Sequence, residues 1–156
     1  MKPAQLNLGI GFYGRVPKRA VEPGIDWDKP DAAKNPVTQP YFGAPEKTVF
    51  TSFGLDLSKD TYLKYNDIVS KMLNDPQKRF TEHWDNDAQV PYLTMKSAEG
   101  KDLFAISYEN SRSVAAKAEY IKAKGLGGAM FWEYGADDNN QLAKELAKDL
   151  GIKTEH

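Results

Sequence analysis

The 156-residue chain contains no cysteine, which excludes disulfides and thiolate chemistry and fits either a cytosolic or an exported bacterial protein. Histidine is scarce: neither His83 nor His156 has partners at metal-ligand spacing, and His156 with Glu155 reads as a tag remnant. No apolar run approaches the roughly 18 residues a membrane span requires. Charge of one sign is not in excess, with 21 lysines and arginines against 22 acids, so no global basic field points to nucleic acid or anionic membrane. No metal, cofactor, nucleic acid or membrane partner is expected. The opening Met1-Lys2-Pro3-Ala4-Gln5 shows no charged-then-apolar export signal and leads almost at once into a strand, the start expected of a chain entered partway through a larger fold.

Aromatic residues are plentiful, at 12%; tyrosine and tryptophan bind flat amphipathic ligands such as sugar rings, although they fill cores more often. Glycine is concentrated in Gly9-Ile10-Gly11-Phe12-Tyr13-Gly14, a literal G-x-G-x-x-G after an apolar run. A dinucleotide site needs a helix directly after that turn, because the helix N-terminus holds the pyrophosphate. Here Val16-Pro17 and Pro23-Gly24 follow, and a proline beyond the first turn breaks a helix. The glycines fall instead in a period-two pattern, Leu6, Leu8, Ile10 and Phe12 alternating with Asn7, Gly9, Gly11 and Tyr13. That is a strand with one apolar face and, at its glycines, a neighbour that approaches closely.

From Val16 to about Ser58 repeated prolines and glycines permit only turns and short strands. Tyr62 to Met72 reads as a helix with Tyr65, Ile68, Val69 and Met72 on one face and Asn74-Asp75-Pro76 as its stop. Short strands are predicted at Phe80 to Trp84, Val90 to Met95 and Leu103 to Tyr108, the last two linked by the polar hairpin Ser97 to Lys101. A helix from about Ser113 to Lys124 turns Val114, Ala118 and Ile121 inward and stops at Gly125. Gly127 to Glu133 predicts a strand buried on both faces. The final helix, capped by Asp137 or Asp138, carries Leu142, Leu146 and Leu150 and ends at Gly151. Without the irregular insertion the order is β-α-β-α, two units of a parallel α/β architecture. Two parallel strands cannot make a covered sheet, so self-assembly or sheet partners from elsewhere are implied.

Four blocks in order then carry a resemblance. Leu8-Gly9-Ile10-Gly11-Phe12-Tyr13-Gly14-Arg15, His83-Trp84-Asp85 with Ala88-Gln89-Val90-Pro91-Tyr92-Leu93, Phe104-Ala105-Ile106-Ser107-Tyr108-Glu109-Asn110 with Ser113, Lys117 and Tyr120, and Gly125 to Glu133 together resemble the C-terminal third of family 18 glycoside hydrolases, the chitinases. The resemblance implies the last two βα units of a (β/α)8 TIM barrel, residues 1–15 and 109–156, with a small α+β chitinase insertion domain at 16–108. It sends Gly9, Gly11 and Tyr13, with Gly128, Met130 and Trp132, toward the barrel interior, and Leu6, Leu8, Ile10 and Phe12 toward the outer helices. Tyr13 and Trp132 would then meet at the C-terminal mouth, where barrels build their sites.

By the same resemblance the partner is chitin or a chito-oligosaccharide. Trp132 would be the floor under the sugar at the cleavage point, Tyr13 and Arg15 would line the cleft beside it, and Met130 would share its inner face; core or structural roles are the alternative for each. Trp84 and Tyr92 are either the small core of the insertion or part of its wall, Trp27 is a rim stacker or a loop anchor, and Tyr108 and Glu109 are structural. Family 18 enzymes retain configuration by substrate assistance: a glutamic acid protonates the glycosidic oxygen and the substrate's own acetamide attacks the anomeric carbon. Their D-x-x-D-x-D-x-E signature is absent here; Asp26-Trp27-Asp28 and Asp85-Asn86-Asp87 lack the downstream glutamate, and the Met-x-Tyr-Asp block is missing too. No catalytic residue is therefore assigned. The expectation is a C-terminal piece of a chitinase that is inactive alone, completed by the rest of the barrel or by self-association, and secreted or periplasmic in its full-length form. The alternative is a non-catalytic, lectin-like chitin-binding protein. The chain departs from the family in Gly11 for proline, in Val16-Pro17 for an aromatic, and in Lys59 or Asp60 where relatives place a glutamate.

Overall fold

The computed structural model describes residues 1–15, 62–96 and 102–153. A 3-10 turn at Pro3–Gln5 precedes β1 (Asn7–Gly11) and β2 (Tyr13–Arg15); β3 (Tyr62–Lys64) leads into α1, an α-helical turn at Tyr65–Asp67 continued as a π-helix at Ile68–Leu73. Then follow β4 (Phe80–Asp85), β5 (Val90–Lys96), β6 (Asp102–Ser107), α2 (Ser111–Lys124), β7 (Gly128–Trp132), a 3-10 turn at Tyr134–Ala136 and α3 (Gln141–Asp149). β1 and β7 form a parallel pair. The other five strands form an antiparallel sheet in the order β3-β2-β6-β5-β4.

The period-two pattern of the first segment is realised in its burial. Ile10 and Phe12 enter the core, and the Phe12 ring stacks on Phe131 at 4.5 Å. One apolar cluster takes Ile10 and Phe12 from the parallel pair, Leu63, Leu93 and Ile106 from the antiparallel sheet, and Val114, Ala118, Leu142 and Leu146 from the last two helices. Burying each of the larger of these side chains contributes about 1.5–3 kcal/mol, so the two sheets are joined by hydrophobic burial rather than by a shared ladder. Leu6 differs from expectation. It ends the first 3-10 turn, its N–H donating to the Pro3 carbonyl, and lies 43% exposed instead of facing a helix.

Tyr62–Lys64 is a strand and not the first turn of a helix. Leu63 pairs with Gly14 and is buried while Lys64 is exposed, an alternation that favours the sheet. From Tyr65 the expected helical face holds, with Tyr65, Ile68 and Met72 buried and Val69 packed against them. The π-turn closes where the Asn74 N–H donates to the Val69 carbonyl at 3.0 Å. Asp75 then ends the helix: its carboxylate accepts the backbone N–H groups of Gln77 and Arg79 and the side-chain Nε and Nη2 donors of Arg79.

α2 starts two residues before its expected position because Asn110 is the cap. Its Oδ1 accepts the Ser113 N–H at 3.0 Å, and Ser113 Oγ accepts the Asn110 N–H in return. Gly125, at φ 60°, supplies the left-handed stop. The last helix takes its cap from Asp137, whose carboxylate accepts the N–H groups of Gln141, Leu142 and Ala143 at 2.8, 2.9 and 3.1 Å.

β7 is not buried on both faces. Phe131 packs inward, but Met130 and Trp132 are 54% and 63% exposed, because among the described residues no element covers that side. Trp84 and Tyr92 are half-buried outside the main cluster, Trp84 beneath the Arg112 guanidinium and Tyr92 stacked on His83. Tyr108 is buried and donates its hydroxyl to Glu82, while Glu109 pairs with Lys117 at 2.8 Å. The loop reading of Val16 to Ser58, Trp27, Lys59, Asp60, the Ser97–Lys101 link and His156 lie outside the described residues.

Candidate functional site

Parallel pairing sets the site's framework. Gly9 stands opposite Met130 and Gly11 opposite Trp132, so residues of one face lie side by side. The Met130 methyl is 3.7 Å from where a Cβ on Gly9 would be. At Gly11 a Cβ would meet the Tyr13 ring at 2.8 Å, so the tyrosine folds back over the strand through space that only glycine leaves. The Phe12 N–H donates to the Trp132 carbonyl at 2.7 Å, which carries the pairing to the C-terminal end of β7.

Beyond Gly11 the chain passes from one sheet to the other. Tyr13 and Arg15 open and close β2, on alternate positions of a three-residue strand, and therefore share a face. Opposite them β3 presents Tyr62, paired with Arg15. The Tyr13 and Tyr62 rings lie 5.2 Å apart, and the Arg15 guanidinium sits 5.1 Å from the first and 5.6 Å from the second. The Tyr62 hydroxyl donates to Glu133 Oε1 at 2.8 Å, and Glu133 directly follows Trp132 across a cis peptide bond. Burial and the Glu133 carboxylate push the Tyr62 phenol well above the ordinary tyrosine range, partly offset by Arg15, so the phenol is a neutral donor at physiological pH.

Of the residues singled out in the sequence, Tyr13 and Arg15 thus share one cluster. Trp132 is bound to that cluster through Glu133 and Tyr62, and Met130 lies two residues earlier on the exposed face of β7. Tyr62 and Glu133 were not assigned from the sequence. Tyr62 fell inside an apparent helix, and Glu133 carried only the end of a strand block; the alternation in Tyr62-Leu63-Lys64 is the signal that points to Tyr62. Chemically the surface offers an exposed indole, a tyrosine pair, a guanidinium and a carboxylate, a combination suited to a ligand with apolar faces and a polar rim. Among the described residues no group of three or more His, Cys, Asp or Glu could hold a metal ion, and no helix is long and apolar enough to cross a membrane.

A parallel strand pair packed against two helices, with an antiparallel sheet entered from the C-terminal end of its first strand, makes this an α/β protein, and the exposed Trp132 indole stands at the C-terminal end of that pair. More narrowly, the chain belongs to glycoside hydrolase family 18: the profile "Glycosyl hydrolases family 18" matches residues 1–137. Chitinase A1 of Niallia circulans is 35% identical over 147 residues, which span 94% of this chain and 18% of that protein. A probable endochitinase of Caenorhabditis elegans is 35% identical over 163 residues, covering 97% and 22%. The chain therefore spans about a fifth of the length of these relatives. Among solved structures, the multi-modular chitinase ChiW of Paenibacillus sp. superposes with a TM-score of 0.64 at 28% identity, over 99% of this chain and 15% of that one. A class V chitinase mutant from Cycas revoluta in complex with (GlcNAc)3 superposes at 0.62 and 26% identity, over 97% and 35%.

Proposed function

We propose that this chain supplies part of the substrate cleft of a family 18 chitinase without its general acid. In this reading residues 1–15 and 109–156 are the last two βα units of a (β/α)8 barrel, and 16–108 are the inserted α+β domain. The remaining barrel comes from polypeptide outside these 156 residues or from a second copy of the chain. The ligand is a β-1,4-linked N-acetylglucosamine polymer, with Trp132 beneath a sugar face, Tyr13 and Arg15 along its edge and Met130 deeper on the same face.

The observation that carries the reading is the exposed Trp132 indole at the end of β7, in register with Gly11 and tied through Glu133 and Tyr62 to the Tyr13–Arg15 cluster. The chitinase names of the relatives and the (GlcNAc)3 held by the Cycas revoluta protein supply the ligand class. Hydrolysis by substrate-assisted retention needs a glutamic acid to protonate the leaving oxygen, and the D-x-x-D-x-D-x-E segment that provides it is not among these residues.

Two measurements test this. The purified chain binds chitotetraose saturably, seen as a change in tryptophan fluorescence that Trp132→Ala abolishes; a titration with no response would refute the binding surface. The same chain leaves a fluorogenic chitobioside intact, and turnover comparable to that of a whole chitinase would refute the missing acid.

A further inference from the structure

The link from Tyr62 to Glu133 joins two parts of the molecule that share no ladder. Tyr62 lies on the three-residue edge strand β3, and Glu133 follows β7 of the parallel pair, 71 residues further along the chain. Among the described residues β2, which carries Tyr13 and Arg15, pairs with β6 at Arg15 and Ser107. Among the described residues its longer pairing is with β3, through Tyr13–Lys64, Gly14–Leu63 and Arg15–Tyr62, so holding β3 in place helps to hold both residues. Hydrogen bonds to a carboxylate are shorter and stronger than neutral ones, and this one is partly shielded from water. Its acceptor is the residue next to Trp132.

We propose that Tyr62 is a positioning residue of the sugar site: by clamping its hydroxyl on Glu133 it holds the Tyr13–Arg15 wall against the Trp132 floor. The role at the sugar rests on the saccharide reading above, whereas the clamp itself rests on the geometry alone. The Tyr62 ring packs against Tyr13 and the Arg15 guanidinium, so the hydroxyl is the part of the side chain that reaches across to the second unit. A clamp of this kind raises affinity by preorganisation, since wall and floor need not be brought together when the ligand arrives.

Tyr62→Phe keeps the ring and removes the donor; Glu133→Leu removes the acceptor. In the 156-residue chain without sugar, Tyr62→Phe accelerates amide hydrogen exchange at Tyr13–Arg15 and Tyr62–Lys64 by about tenfold, the scale of one charge-assisted hydrogen bond, and leaves α2 unchanged. Chitotetraose affinity falls about three- to tenfold, and the double variant is no weaker than the more impaired single one, as expected of partners in one contact. Exchange in Tyr62→Phe identical to the parent, or additive losses in the double variant, would overturn the clamp. If exchange responds but the parent fails to bind chitotetraose, the clamp is upheld and the saccharide reading is the one overturned.

Discussion

Phe12 and Phe131 stack with their centroids 4.5 Å apart and their planes 12° from parallel, one ring from each end of the chain. Beside Phe131, on the opposite face of the same strand, Trp132 is exposed. Neighbours on β7 therefore serve different ends, one cohesion and the other a surface.

Truncating the two faces should separate these roles. Phe12→Ala removes a fully buried ring and is expected to cost about 3–5 kcal/mol of stability in urea unfolding. Trp132→Ala should change stability by no more than about 0.5 kcal/mol while eliminating the chitotetraose response.

Gly14 is required by packing. A Cβ there would stand 2.5 Å from the Ile68 Cδ1 and 3.2 Å from the Ser107 carbonyl oxygen. Gly14→Ala is expected to lose about 1–3 kcal/mol through overpacking. Adding Ile68→Val, which deletes the offending methyl, should recover part of that loss; a double variant no better than the sum of the two would contradict the steric account.

Acid should loosen the turn after α1. The Asp75 carboxyl is held below the 3.8 of a free aspartate, chiefly by the Arg79 guanidinium and then by the N–H groups of Arg79 and Gln77, which outweigh the opposing effect of its burial. A depressed carboxyl contributes stability that is present above the unfolded value and lost as pH falls through the folded one. Thermal unfolding should show Asp75→Asn less stable than the parent at pH 7, with the gap narrowing below about pH 4.

The last helix depends on a carboxylate outside its own span. Asp137 is buried and accepts three first-turn N–H groups. Asp137→Ala should cost about 1–2 kcal/mol, with exchange rising at Gln141 to Ala143, whereas Asp138→Ala, at an exposed neighbour, should leave both unchanged.

Much of this architecture depends on short-range rules and is accordingly legible in the sequence. The period-two run ending in Phe12, the inward faces of Val114, Ala118 and Ile121 and of Leu142 and Leu146, and the left-handed stops at Gly125 and Gly151 are each set by residues within a turn or two. The ambiguous cases lay where two local patterns competed. Tyr62-Leu63-Lys64 continues without a break into a helix, and only its pairing with β2 draws it into the sheet.

What lay beyond a linear reading has one physical cause, that burial and contact depend on which distant segments share a space. The apolar block ending at Trp132 carries no mark of which face a neighbour will cover; packing half-buries Phe131 against the core and leaves the indole open. Likewise nothing near Tyr62 announces a carboxylate 71 positions later, because that bond exists only once two separate sheets have closed on a common core.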